Sequence, residues 1–367
     1  MNQANHHMSN SHDWATIVDI VVPTLLQQYA IPGVALATLT SGSITTLHSY
    51  GYADRDMQLP MRPDIMLNVA SLSKPVTTWG VLHLAEHYGL DLDVPVVPYL
   101  RRWSPPAGAF DIMGITLRRL LSHTAGLGVP SMPWFPATAK RPTLISVLRG
   151  EAGDQGPVLL EQVPGSAWAY SGGGYALLEL LVEEISNQPF AEYMRANVFA
   201  PLGMERSDFA PPITLPFIGR CYDKCGTPIA PYRLVGAAAG GLFTTATNLA
   251  RFLAAYSPSY DESVGREVIS PSMLALLRTP LAAASLPDVQ RKNIFGGLGH
   301  FVHTCADRTT ILYHSGGNPG VRAYMLLHLP RGDGLVILSN SDNAVPLIGQ
   351  LVDQWGAAHT YDLPPLF

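Results

Sequence analysis

Two short apolar runs joined by a tight polar turn occur near each end of the chain. Residues 34–40 and 44–50 flank Ser41-Gly42-Ser43, and residues 321–329 and 335–340 flank Pro330-Arg331-Gly332-Asp333-Gly334. Each pair reads as a β-hairpin. Between them the periodicity changes. Leu178, Leu181, Val182 and Ile185 mark an amphipathic helix ended by Asn187 and Pro189. Residues 190–199, 248–256 and 271–277 read as further helices, among Pro-rich irregular stretches at 95–106, 129–142 and 211–216. A helix over 14–28 and a closing helix over 346–356 bracket the chain. The expected class is α+β: an antiparallel sheet built from both chain ends, flanked by helices, with a mainly helical inserted region. The expected divisions are 13–70 with 290–360 for the sheet region, 71–289 for the insertion and 1–12 as a disordered tail.

Composition removes several functions. The 367 residues are 47% hydrophobic and 14% charged, which excludes intrinsic disorder. The net charge of −5 leaves no basic footprint for nucleic acid. No apolar run reaches the roughly 18–20 residues of a membrane span. The first Lys or Arg is Arg55, so the start has no positive n-region of a signal peptide. A cytoplasmic enzyme is expected, with Cys221, Cys225 and Cys305 as ordinary reduced thiols.

Three stretches could carry chemistry. Ser71 and Lys74 stand three apart, on one face of a helical turn, and Pro75, Val76, Trp79, Leu82 and Gly89 continue and end that helix. A buried lysine loses its proton more easily, and a neutral amine can activate a serine hydroxyl. Tyr170 precedes Ser171-Gly172 in Pro164-Gly165-Ser166-Ala167-Trp168-Ala169-Tyr170-Ser171-Gly172; a phenol becomes a useful base only beside a cation such as Lys74. His314-Ser315-Gly316-Gly317-Asn318-Pro319-Gly320 precedes a strand, where glycines let a substrate backbone approach and leave N–H groups as oxyanion donors. Taken singly, each has a plainer reading: a polar helix start, a packed tyrosine and a Gly-rich turn.

As a set, in that order, the three resemble the penicillin-recognising serine hydrolases, in the branch with class C β-lactamases, D-amino-acid peptidases and related esterases and transacylases. Leu120-Leu121-Ser122-His123-Thr124-Ala125-Gly126-Leu127, Pro201-Leu202-Gly203-Met204 and Gly240-Gly241-Leu242-Phe243-Thr244-Thr245 support the resemblance across nearly the whole chain. It implies a β-lactamase/transpeptidase-like fold and a Ser acyl-enzyme. Ser71 would be the nucleophile, Lys74 would hold its proton and Tyr170 would relay that proton. The N–H groups of Ser71 and Gly317 would form the oxyanion hole, with His314 where relatives often carry lysine. Gly172, Ser315, Gly316 and Trp134 would contact substrate. Two departures bear on the substrate. Gly172 stands where β-lactam-opening relatives usually have asparagine, and His314 lacks a permanent charge to meet a carboxylate. An ester or activated carboxyl of a small molecule is therefore the expected donor, with water, an amine or an alcohol as acceptor. A β-lactamase or D-Ala-D-Ala-type peptidase is the alternative, and a non-catalytic acyl-compound binder is the alternative of another class.

Competing signals are weaker. His83-Leu84-Ala85-Glu86-His87 matches a zinc-peptidase pattern but falls within the nucleophile helix, so no metal or other cofactor is expected. No glycine is followed two residues later by serine, which removes the α/β-hydrolase elbow, and no nucleotide-binding fingerprint occurs. Met132-Pro133-Trp134-Phe135-Pro136 could wall an acyl pocket or cap a core, and His123 reads as structural.

Overall fold

The structure is a computed structural model that describes residues 11–257, 268–283 and 293–364. Its main sheet has nine antiparallel strands: β1 (Gly33–Thr40), β2 (Ser43–Asp54), β3 (Leu59–Pro60), β4 (Ala282–Ala283), β5 (Ile294–Gly296), β6 (Phe301–Thr304), β7 (Thr310–Asn318), β8 (Val321–His328) and β9 (Asp333–Ser339). They lie in the order β3-β2-β1-β9-β8-β7-β6-β5-β4. The two end hairpins meet at the β1–β9 seam, where Val34 pairs with Ser339 and Leu36 with Ile337.

Strand alternation places side chains on two different cores. Val34 and Leu36 of β1, Tyr324 and Leu326 of β8, and Leu335 and Ile337 of β9 pack under helices α1 (Ser11–Gln28) and α5 (Val345–His359). Trp14, Val18, Val22, Leu351 and Trp355 complete that layer. The alternate residues Ala35, Leu39, Ala323, Met325, Val336 and Leu338 face a larger core. There they meet α2 (Ser73–Tyr88), α3 (Gly172–Ser186) and α4 (Ala246–Tyr256). With both faces covered, the strands can be apolar along nearly their whole length.

The site helices start and stop where local chemistry demands. The Ser171 hydroxyl accepts from Gly174 N (2.8 Å) and opens α3. Gly89, at φ +65°, ends α2 in the left-handed conformation. Some boundaries differ from the sequence reading. Residues 1–10 of the expected tail lie outside the described residues, while Ser11 and His12 already belong to α1. The stretch read as irregular over 129–142 contains a short strand, Trp134–Pro136, which pairs with Tyr232–Leu234. The C-terminal part of the sheet begins at Ala282, ahead of residue 290. Among the described residues no helix is long and apolar enough to cross a membrane.

Candidate active site

Ser71 lies in a single 3-10 turn, Ala70–Leu72, immediately before α2. Ala70 sits at φ +48°, a left-handed conformation costly for any residue with a Cβ. Asn68 holds the turn there. Its Oδ1 accepts from Ala70 N (3.1 Å), and its Nδ2 donates to the carbonyls of Gly240 and Leu242. The two serines of the motif separate cleanly. Ser73 is committed to structure, donating to Ala70 O (2.6 Å) and accepting from Leu242 N (3.0 Å). The Ser71 hydroxyl instead stands 3.4 Å from Lys74 Nζ and interacts with the Tyr170 phenol.

Lys74 is 2% exposed. Its Nζ donates to the Ala239 carbonyl (2.6 Å) and lies over the faces of Tyr170 (4.7 Å) and Tyr175 (5.5 Å). Burial lowers its pKa to about 7, because no carboxylate compensates the ammonium in that apolar setting. The same burial drives the Tyr170 phenol well above its usual range, against the opposing hydrogen bond from Ser71. These shifts assign the protons near neutrality. A substantial share of the amine is free to accept one, and the phenol keeps its own.

Two histidines pack on Tyr170 and are neutral too. His314, on β7, lies 6.3 Å from it, ring centre to ring centre. Burial first, then the neighbouring Lys74 charge, lowers the pKa of His314 to about 3. Its Nδ1–H donates to the Ser315 carbonyl (2.6 Å), which leaves Nε2 as the lone-pair nitrogen. His123 stacks on Tyr170 at 4.5 Å and accepts from Ser171 N (3.1 Å) through Nδ1. Burial, Lys74 and His314 hold its pKa well below the usual value. The reading of His123 as structural thus needs enlarging: it forms the floor on which the phenol rests.

The glycines of β7 act differently from what was expected. A Cβ on Gly316 would overlap the Val69 carbonyl oxygen and stand 3.2 Å from Ser71 N. Gly316 is therefore buried against the nucleophile turn and does not line the pocket. Its absent side chain lets β7 lie against the Ser71 turn, and the next residue, Gly317, is exposed. Ser315 pairs with Tyr324, whose ring belongs to the α1–α5 core. Directly opposed residues share a face, so the Ser315 side chain points away from Ser71 and only its carbonyl serves the site. Gly172 does not widen the pocket either. A Cβ there would meet Pro130 O at 2.9 Å and Ser131 Cα at 3.3 Å, because the 129–131 backbone fills that space. Trp134 is 50% exposed and packs on Tyr232 at 5.5 Å; the Tyr232 hydroxyl in turn donates to Pro319 O (2.8 Å), just after Gly317.

The sequence reading also missed the anchors. Asn318 Nδ2 donates to Asn68 Oδ1 (2.7 Å) and Gly240 O (3.0 Å), which ties β7 to the nucleophile turn and to the Gly240-Gly241 segment. That segment was visible as a motif, but nothing in it announces that the Gly240 carbonyl faces Asn318 or that the preceding Ala239 carbonyl faces Lys74. The zinc pattern has other partners: His83 Nδ1 pairs with the Tyr193 hydroxyl (2.8 Å), and Glu86 accepts from Ser270 N (2.9 Å). No group of possible metal ligands occurs among the described residues.

The profile of the family described as "Beta-lactamase" matches residues 18–349. The chain belongs to that family. It is a serine hydrolase of the β-lactamase and penicillin-binding protein superfamily, with the α+β fold of that superfamily. It is 28% identical over 344 residues to penicillin-binding protein 4* of Bacillus subtilis, covering 87% of this chain and 70% of that one. It is 30% identical over 202 residues to esterase EstB of Burkholderia gladioli, covering 53% of this chain and 51% of that one. The D-amino acid amidase of Ochrobactrum anthropi superposes with a TM-score of 0.75 at 24% identity, covering 95% and 98% of the two chains. The chain thus spans 70% of the length of one curated relative and about half of the other.

Proposed function

We propose that this β-lactamase-family chain is an esterase that acts on small, uncharged esters or activated carboxyls through an acyl-enzyme on Ser71. The observation that carries this reading is the Ser71 hydroxyl, set between a buried amine whose pKa is lowered to about 7 and a protonated phenol. Ser71 Oγ attacks the carbonyl carbon while its proton passes to Lys74 Nζ. The oxygen becomes an anion facing the N–H groups of Ser71 and Gly317; losing one such donor costs roughly 10²–10³ in turnover. Collapse breaks the bond to the leaving alcohol. Tyr170 gives that alcohol its proton and is refilled from the Lys74 ammonium. Water reverses the sequence and releases the acid. An amine or alcohol arriving first makes the step an acyl transfer through the same groups.

Charge supports the substrate class. His314 is neutral in its buried setting, and no carboxamide projects from residue 172, where backbone fills the space. Nothing in this set offers a carboxylate a cation or an amide side chain a partner. The half-exposed Trp134 beside Tyr232 suits the apolar part of an acyl group. The named esterase relative points the same way. The unpaired Cys221, Cys225 and Cys305 suit a reducing cytoplasm.

The test is intact-mass analysis after a fluorophosphonate, combined with turnover of p-nitrophenyl butyrate, nitrocefin and a D-Ala-D-Ala peptide. One adduct on Ser71, ester turnover above that of the other two substrates, and loss of both adduct and turnover in Ser71→Ala are expected. Labelling elsewhere, or wild-type turnover in Ser71→Ala, defeats the proposal. Preferential turnover of nitrocefin or the peptide replaces the substrate class.

A further inference from the structure

Glu179 is a carboxylate in an apolar place. It sits in the middle of α3 between Leu178 and Leu180, is 5% exposed, and has no ion pair among the described residues. An unpaired buried carboxylate is destabilising, and an apolar side chain of similar size at the same point would favour folding more. Its bonds show what it does there. Oε2 accepts from Ala238 N (2.9 Å). That donor lies in the 3-10 turn Ala237–Ala239, which is entered through Gly236 at φ +82°.

The opposite side of that turn faces the catalytic groups. The Ala239 carbonyl accepts from Lys74 Nζ (2.6 Å), and the Ala238 carbonyl accepts from Thr77 (3.0 Å), one turn along α2. The next carbonyl, Gly240 O, accepts from Asn318 and Asn68, the clamps on β7 and on the nucleophile turn. One carboxylate therefore grips the N–H end of a turn whose C=O end grips Lys74.

We propose that Glu179 is a positioning residue for Lys74: by pinning the Ala238 amide it fixes the Ala239 carbonyl that holds the amine against Ser71. This rests on the acyl-enzyme reading above. Around Lys74 the other titratable groups are Tyr170, Tyr175, His123 and His314. Around Glu179 they are Glu183 and Arg141. The carbonyl accepts more strongly from an ammonium than from an amine, so loosening it lowers the pKa of Lys74 further.

The decisive variant is Glu179→Gln, which keeps the shape but gives up one of the two acceptors. Fluorophosphonate labelling of Ser71 and p-nitrophenyl butyrate hydrolysis are measured from pH 5 to 9, with thermal unfolding alongside. In the variant the fold persists and KM stays within about twofold. Turnover falls roughly 10–100-fold, as expected for a displaced catalytic group. The acidic limb of the labelling rate moves to lower pH by about half a unit or more. Wild-type labelling and turnover in the variant overturn the proposal, as does a loss that tracks unfolding with the limb unmoved. If Glu179→Gln does not fold, Glu179→Asp, which retains the carboxyl group with a shorter reach, is judged on the same limb. Failure of the wild type itself to label Ser71 removes the acyl-enzyme reading, whereas labelling that ignores residue 179 removes only the positioning role.

Discussion

Replacing Gly316 by alanine tests whether the approach of β7 to the nucleophile turn sets the rate. The new methyl would stand about 1 Å short of ordinary contact with the Val69 carbonyl oxygen, and at 3.2 Å from Ser71 N. Val69 and Ala70 are fully buried, and Ala70 already occupies a left-handed conformation, so the turn has no low-energy direction in which to retreat. The strand or the turn must shift by several tenths of an ångström to 1 Å. Overpacking on that scale destabilises by about 1–3 kcal/mol. The same shift separates the Gly317 N–H from the position of the developing oxyanion, and misplacement of about 1 Å costs about 10²-fold in rate. The expected result for Gly316→Ala is a folded protein with a lowered urea midpoint, an unchanged m-value and kcat for a p-nitrophenyl ester reduced about 10²-fold. Gly317→Ala supplies the steric comparison, because its Cβ would meet Arg322 only at an ordinary 3.6 Å; its urea midpoint should match the wild type. Wild-type kcat in Gly316→Ala would refute the steric argument, since the methyl could then be accommodated without moving the reacting groups.

Other outcomes follow from the same geometry. Lys74 must be uncharged to take the serine proton, and its pKa is lowered to about 7, so kcat/KM should rise with pH through an acidic limb near 7. A limb near 10 would mean that burial does not lower the Lys74 amine from its ordinary range. Tyr170→Phe keeps the ring that rests on His123 at 4.5 Å and removes only the hydroxyl. Its kcat should fall about 10²–10⁴-fold with little change in melting temperature; a fall below tenfold would deny the phenol its relay role. Dialysis against EDTA should leave turnover intact, because His83 and Glu86 are engaged by Tyr193 and Ser270; activity restored only by zinc would reverse that assignment.

Much of this protein was legible before any coordinates. The hairpins at 34–50 and 321–340 announced a sheet from both ends, because short apolar runs joined by turn residues are local signals. Ser71 and Lys74 could be paired because three residues along a helical turn is a fixed geometry, and the order of Ser-x-x-Lys, Tyr-Ser-Gly and His-x-Gly named the family. Which groups meet across the chain was another matter. That Ser73 is committed to structure while the Ser71 hydroxyl faces Lys74, and that Gly316 yields space to Ser71, depend on contacts with Leu242 and Val69. That backbone from Pro130 fills the room at Gly172 depends on a contact more than forty residues away in sequence. The pKa of Lys74 follows from the burial of one amine among two tyrosines and the Ala239 carbonyl. Local sequence specifies which conformations a segment prefers. Desolvation and long-range hydrogen bonding exist only once distant segments are packed together, and desolvation is what lowers the pKa of an ordinary lysine.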